Sequence, residues 1–195
     1  MDKQKLYAII EEKSPMLTAL SDKIWEYAEL SMLEFKSTAA YVQLLKEEGF
    51  QVEENLCGIA TAFSGTYGSG SPKIGILGEY DALSGLSQVP GISQREELEA
   101  GGCGQGCGHH LLGTAGIGAA IAVKDYLEST GKEGTVIYFG CPGEENGSGK
   151  VFMARDGLFD DMDICLTWHP GDSNSITGDG SLANISIKYK FHGVA

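Results

Sequence analysis

Basic residues are in short supply. Fourteen Lys and Arg stand against 27 Asp and Glu in 195 residues, a formal net charge of −13. So acidic a surface repels phosphate backbones and anionic lipid headgroups, and no basic cluster interrupts it, so neither nucleic acid nor membrane is an expected partner. Long apolar runs are missing too: no segment approaches the ~20 residues that span a bilayer. The opening MDKQKLYAII lacks the apolar core of an export signal, which makes the cytoplasm the expected location. Cysteine is sparse and odd in number, five in all. Without an export signal a disulfide framework is not expected, so Cys57, Cys103, Cys107, Cys141 and Cys165 are free thiols or ligands. Histidine is rarer still, with four residues, yet two of them adjoin each other in GGCGQGCGHHLLGTAG, residues 101–116.

What the chain has in quantity is glycine, 28 residues clustered around polar groups rather than at a fixed period, which argues for functional loops and against a fibrous repeat. With 42% hydrophobic residues it can build one well-buried core. Residues 4–29 have helical spacing, with Ser14-Pro15 as a restart between two segments, and a second helix is expected from Lys36 to Glu48, stopped by Gly49. FQVEEN and GIATAF are expected to be short strands. Ile74–Leu77 is a buried strand ending at Glu79 and Asp81, residues 84–108 form a long loop, and His109–Leu127 is an apolar helix. Thr135–Phe139 repeats the strand design and ends in the acidic turn GEENGSGK; KVFMARDGLF follows as a helix, then DICLTWHP as a third strand. Strands alternating with helices, each strand ending in candidate ligands, predict an α/β layer fold with its site along the ends of a parallel sheet. SLANISIKYKFHG alternates like an exposed strand without a partner, the pattern of a chain that continues past Ala195.

Four strand-end clusters hold the concentrated chemistry: Glu79 with Asp81, Cys107 with His109 and His110, Glu144 with Glu145, and His169. Singly each has a bland reading as a surface histidine, solvated acids or a packed thiol. Together, thiolate, imidazole and carboxylate suit a borderline dication, zinc or manganese. One of the paired glutamates can then coordinate while the other faces the metal-activated water and takes its proton, an arrangement that cleaves an amide or ester. Three alternatives stay open at this point: half of a structural zinc site at Cys103 and Cys107, a redox thiol, and a noncatalytic binding subunit. GEENGSGK fails as a nucleotide loop, because Glu144 stands where its first glycine should be and Val151 where Ser or Thr should hold magnesium.

At GCGHHLLGTA, FGCPGEENGSGK and LTWHP the sequence resembles the M20 family of metallopeptidases and amidohydrolases, and LGEYDALSGLSQ and FDDMDICLTWHP resemble its branch that cleaves aminobenzoyl-glutamate. The resemblance implies a three-layer, zinc-peptidase-like catalytic α/β domain, incomplete here and occupying residues 1–181, with residues 182–195 opening an inserted α+β dimerisation domain. It implies two divalent ions held by Cys107, His109, Glu145 and His169, with Glu144 as general base and Asp81 orienting the site. His110 stands where many relatives have Asp or Asn and is assigned, with Glu79, to the surroundings of the ligands or the substrate. The implied reaction is hydrolysis of an amide joining an aryl or acyl group to an amino acid: aminobenzoyl-glutamate, a related N-acyl amino acid or a dipeptide. The implied assembly is a homodimer, with a related subunit as the alternative partner. A final histidine ligand is expected from a carboxyl-terminal region that this chain does not contain.

Overall fold

Strand text that is apolar at nearly every position must be covered on both faces. In the computed structural model, which describes residues 3–176, 185 and 187–194, the segment Thr135–Phe139 lies at the middle of a five-stranded sheet. In chain order the elements are α1 (Lys3–Tyr27), α2 (Phe35–Glu47), β1 (Gln51–Glu54), β2 (Phe63–Ser69), β3 (Lys73–Gly78), α3 (His109–Thr130), β4 (Gly134–Gly140), the single turn α4 (Glu144–Gly147), α5 (Gly149–Arg155) and β5 (Ile164–Leu166). The strands lie in the order β1-β2-β4-β3-β5.

Alternation along the strands sorts the core into two clusters. Val136 and Tyr138 of β4, with Ile74 and Ile76 of β3, face α1, α2 and α3 and join Ile24, Tyr41, Leu45, Ile117 and Ile121. Ile137 and Phe139, with Leu77, face the other way onto Met153 of α5 and the following Leu158, Phe159 and Met162. Period-two side chains on a central strand thus produce three layers, the expected architecture.

Several expectations need correction. The sheet is mixed: β3 is parallel to β4 and β5, but β2 is antiparallel to β1 and β4. The second strand is FSGTYGS rather than GIATAF. Its two glycines and two serines have weak strand propensity, and pairing on both sides overrides it. α1 continues through Pro15 instead of restarting there. The ring removes one backbone donor, but Met16, Leu17, Leu20 and Ile24 pack into the main core and hold the helix together. Ile185 and residues 187–194 have no regular secondary structure, since no neighbouring strand pairs with them among the described residues. Residues 181–184 and 186 of the expected strand lie outside the described residues.

The three helices are clamped where α2 ends. Glu48 receives Lys13 Nζ of α1 at 2.6 Å and Lys124 Nζ of α3 at 3.2 Å. Burial pushes the Glu48 carboxyl up, but the two ammonium groups outweigh it and hold it below its ordinary value. A carboxyl lowered on folding contributes stability above its unfolded value and loses it as pH falls through the folded one. Glu48→Gln is therefore expected to destabilise the protein by about 1 kcal/mol at neutral pH and by much less at a pH low enough to have protonated the folded-state carboxyl. Denaturant melts at the two pH values measure this, and equal losses would show that the charge is not responsible.

Candidate metal centre

A strand covered on both faces can present polar side chains only past its end. The carboxyl ends of β4, β3 and β5 lie side by side, and each runs directly into expected site residues: Glu144 and Glu145 after β4, Glu79 and Asp81 after β3, His169 after β5. Cys107 and His109 come from the start of α3, which packs on β3 and β4. Two glycines permit this. Gly108, between the two donors, has φ +80°, which glycine adopts at little cost. A Cβ at Gly113 would lie 2.6 Å from the Glu79 carbonyl oxygen, so glycine is what lets α3 approach the end of β3.

His109 is fully buried. Its Nδ1 faces only acceptors, Asp81 Oδ1 at 3.0 Å and the Asp81 carbonyl at 3.1 Å, so Nδ1 carries the proton of the neutral ring and Nε2 keeps its lone pair. Nε2 has no hydrogen bond; Glu79 Oε2 approaches it at 3.1 Å without hydrogen-bond alignment, and Glu144 Oε2 is 4.0 Å away. Burial opposes protonation of this ring, but the Asp81 hydrogen bond and the charges of Asp81, Glu79 and Glu144 outweigh it and raise its pKa. A lone pair confronting two carboxylates is satisfied by a cation.

His169 repeats the design. Its Nδ1 is 2.9 Å from the Pro170 carbonyl, which turns Nε2 toward Cys107 Sγ at 3.2 Å. Donor atoms of Cys107, His109 and His169 all lie within 4.8 Å of one another, as do those of Glu79, His109 and Glu144, so two triads share His109. Imidazoles with one nitrogen held by an oxygen and the other aimed at a common space have the form of metal ligands, and this donor set fits a dication.

Asp81, buried below these rings, is outside both triads. Its Oδ2 accepts from Ser31 Oγ at 2.7 Å and from the Glu145 backbone N–H at 3.0 Å. Burial would raise its carboxyl, but hydrogen bonds from His109, Ser31 and Glu145 keep it below its ordinary value, so it stays charged and orients the imidazole. Burial, then the charges of Glu79 and Glu145, push the Glu144 carboxyl up. The Glu145 carboxylate is close enough to Cys107 to raise its thiol, although it is in neither triad.

The thiols bear on two of the alternatives, the redox thiol and the structural zinc site. Burial, followed by Glu145, Glu144 and Glu79, pushes Cys107 up to about 11. A redox or nucleophilic cysteine needs the opposite shift, whereas an adjacent dication would deprotonate this one. Cys103 joins neither triad and lines a cavity of ≈ 720 Å³ under the loop that contains Leu86 and Leu98. Cys141 is buried, its thiol directed to the Phe139 carbonyl and pushed up to about 12. No structural zinc set forms around Cys103 among the described residues.

Glu79 lies nearer the centre than the sequence suggested, as a member of the second triad. His110 lies farther away, against α1, where Ser21 Oγ donates to its carbonyl. Lys150 pairs with Glu79 Oε1. Sequence reasoning met Lys150 in a rejected nucleotide loop and at the start of a helix, and gave it no role at the site; the available signal was a lone lysine inside an acidic turn.

No protein-family model matches the chain. It is 47% identical over 186 residues to one of the subunits of p-aminobenzoyl-glutamate hydrolase from Escherichia coli (strain K12), covering 95% of this chain and 39% of that protein. It is 28% identical over 194 residues to Xaa-Arg dipeptidase of Mus musculus, covering 92% and 41%. The chain thus spans about two fifths of the length of these relatives. Its fold matches that of a dinuclear metal-binding peptidase of the M20 family from Bacillus subtilis, with TM-score 0.65 and 20% identity over 82% of this chain and 42% of the other. It also matches an aminobenzoyl-glutamate utilization protein from Klebsiella pneumoniae, with TM-score 0.61 and 18% identity over 86% and 46%. The chain is thus similar over nearly its whole length to part of a hydrolase subunit, and it has the fold of a peptidase of the M20 family.

Proposed function

We propose that this chain supplies most of the catalytic centre of a metal-dependent amidohydrolase acting on aminobenzoyl-glutamate or a related N-acyl amino acid or dipeptide. The observation that carries the reading is His109 Nε2, buried, without a hydrogen bond, and facing the Glu79 and Glu144 carboxylates beside Cys107 and His169. Its relatives are named as hydrolases of such amides. Cys107, His109, Glu145 and His169 are the proposed ligands of two divalent ions, zinc or manganese. When bound, the ions supply Lewis acidity to the amide carbonyl and to water.

The chain's own residues do the rest. Asp81 holds the His109 ring by its Nδ1 proton. Glu144, exposed enough to meet solvent and raised toward neutrality by its surroundings, takes a proton from the attacking water and returns it to the leaving nitrogen. The Lys150–Glu79 pair sets a positive charge at the rim, the only lysine paired with a triad member among the described residues. Residues 182–195 are proposed to open an inserted dimerisation domain, with a second copy or a related subunit as partner, in the cytoplasm. No described helix is long and apolar enough to cross a membrane.

Chelation is expected to abolish aminobenzoyl-glutamate hydrolysis by a full-length protein carrying this chain, and added zinc or manganese to restore it. A rate that survives complete metal removal rules the reading out.

A further inference from the structure

Glu34 sits at the N-terminus of α2, where an acidic side chain ordinarily serves its own helix. Here Glu29 has that task, its carboxylate accepting from the backbone N–H groups of Lys36 at 3.0 Å and Ser37 at 2.8 Å. Glu34 makes no capping bond and is fully buried. Its Oε1 accepts from the N–H groups of Met32 at 2.9 Å and Gly143 at 2.8 Å, and its Oε2 from the Thr61 hydroxyl at 2.9 Å. Burying a carboxyl is costly, and three donors are what make it tolerable.

Gly143 immediately precedes Glu144 and Glu145. Neighbours of Glu34 reach the same region: Ser31 donates to Asp81, and the Glu29 carbonyl accepts from Ala82 N–H at 2.8 Å. The Met32 side chain packs under the turn, where a Cβ on Gly143 would lie 2.9 Å from its Cε. Residues 29–34 therefore touch both acidic turns from below while contributing no donor to either triad.

We infer that residues 29–34 brace the metal centre and that Glu34 is a positioning residue, fixing the Pro142–Gly143 peptide and thereby the aim of the Glu144 and Glu145 carboxylates. The inference rests on the metal-centre reading above. It requires an acceptor of the right reach, and does not require a charge. Glu34→Gln can keep its amide oxygen on the Met32 and Gly143 N–H groups while its NH₂ meets the Thr61 hydroxyl, which can accept. Burial already raises the Glu34 carboxyl against its three donors, so a neutral isostere is a modest change. Glu34→Asp keeps the acid but is one methylene short of Gly143.

The test is a Co²⁺ titration of a full-length protein carrying this chain, followed by calorimetry and by the near-ultraviolet absorption of a thiolate–cobalt bond. E34Q is expected to bind as the wild type does, and E34D ~10-fold or more weakly, with cooperative melting retained in both. Amide exchange supplies a reading that needs no metal: the Gly143 N–H is protected in wild type and E34Q and exposed to exchange in E34D. Equal affinity in wild type and E34D, or an E34Q as weak as E34D, overturns the role of Glu34. Should E34D fail to melt cooperatively, an unprotected Gly143 amide in the wild type overturns it. A wild type that takes up no Co²⁺ removes the metal-centre reading itself, and this inference with it.

Discussion

Glu144→Gln is expected to lower the rate of amide hydrolysis by ~10²-fold or more while metal content stays unchanged. Gln has the shape of Glu and can still face solvent from the first turn of α4, but it cannot accept a proton at neutral pH. The position suits a base. Glu144 Oε2 is 4.0 Å from His109 Nε2, close to the proposed ion positions, and burial with the nearby Glu79 and Glu145 charges raises its carboxyl. Metal analysis alongside the rate, on a full-length protein, separates the base from a ligand. Loss of metal together with activity would make Glu144 a ligand, and an unchanged rate would leave Glu79 as the other carboxylate facing His109 Nε2.

Asp81→Asn is expected to weaken metal binding by ~10- to 100-fold. Three donors converge on this carboxylate: His109 Nδ1–H and, on the other oxygen, Ser31 Oγ–H and the Glu145 backbone N–H. An amide can place its oxygen toward His109, but its NH₂ then confronts the Glu145 N–H, which cannot accept. Turning the amide over restores Glu145 and leaves His109 Nδ1–H facing a donor. Either arrangement disturbs one proposed ligand, and in a fully buried place no water relieves it. Calorimetric titration with zinc measures the loss, and a wild-type affinity would show that Asp81 does not orient the ring.

The candidate donor cluster was legible because its members are rare residue types placed at or near strand ends. Cys107, His109 and His169 stand out from a chain with four histidines, and all three meet in one triad. The bracing residues were not legible. Glu34 in SMLEFKST has the look of a solvated acid at the start of a helix, and only its approach to Gly143, 109 positions away, gives it another task. Lys150 was hidden in the same way, since pairing with Glu79 depends on β3 and β4 lying side by side. Strand direction is also a property of the assembled sheet: nothing local in FSGTYGS says that it runs against β4. Periodicity located β3, β4 and α3 because each carries enough apolar text to declare which faces it buries.

The groups meeting around His109 are drawn from Ser31, Glu34, Glu79, Asp81, Cys107, Glu144 and His169, a span that takes in most of the polypeptide. During synthesis, which delivers the amino-terminal end first, His169 emerges after the other groups named here, and a nascent chain that stops before it cannot gather them. An ion at the proposed centre would then be taken up late, and a chain halted before β5 would carry most of the core text with an unfinished grip on its cation.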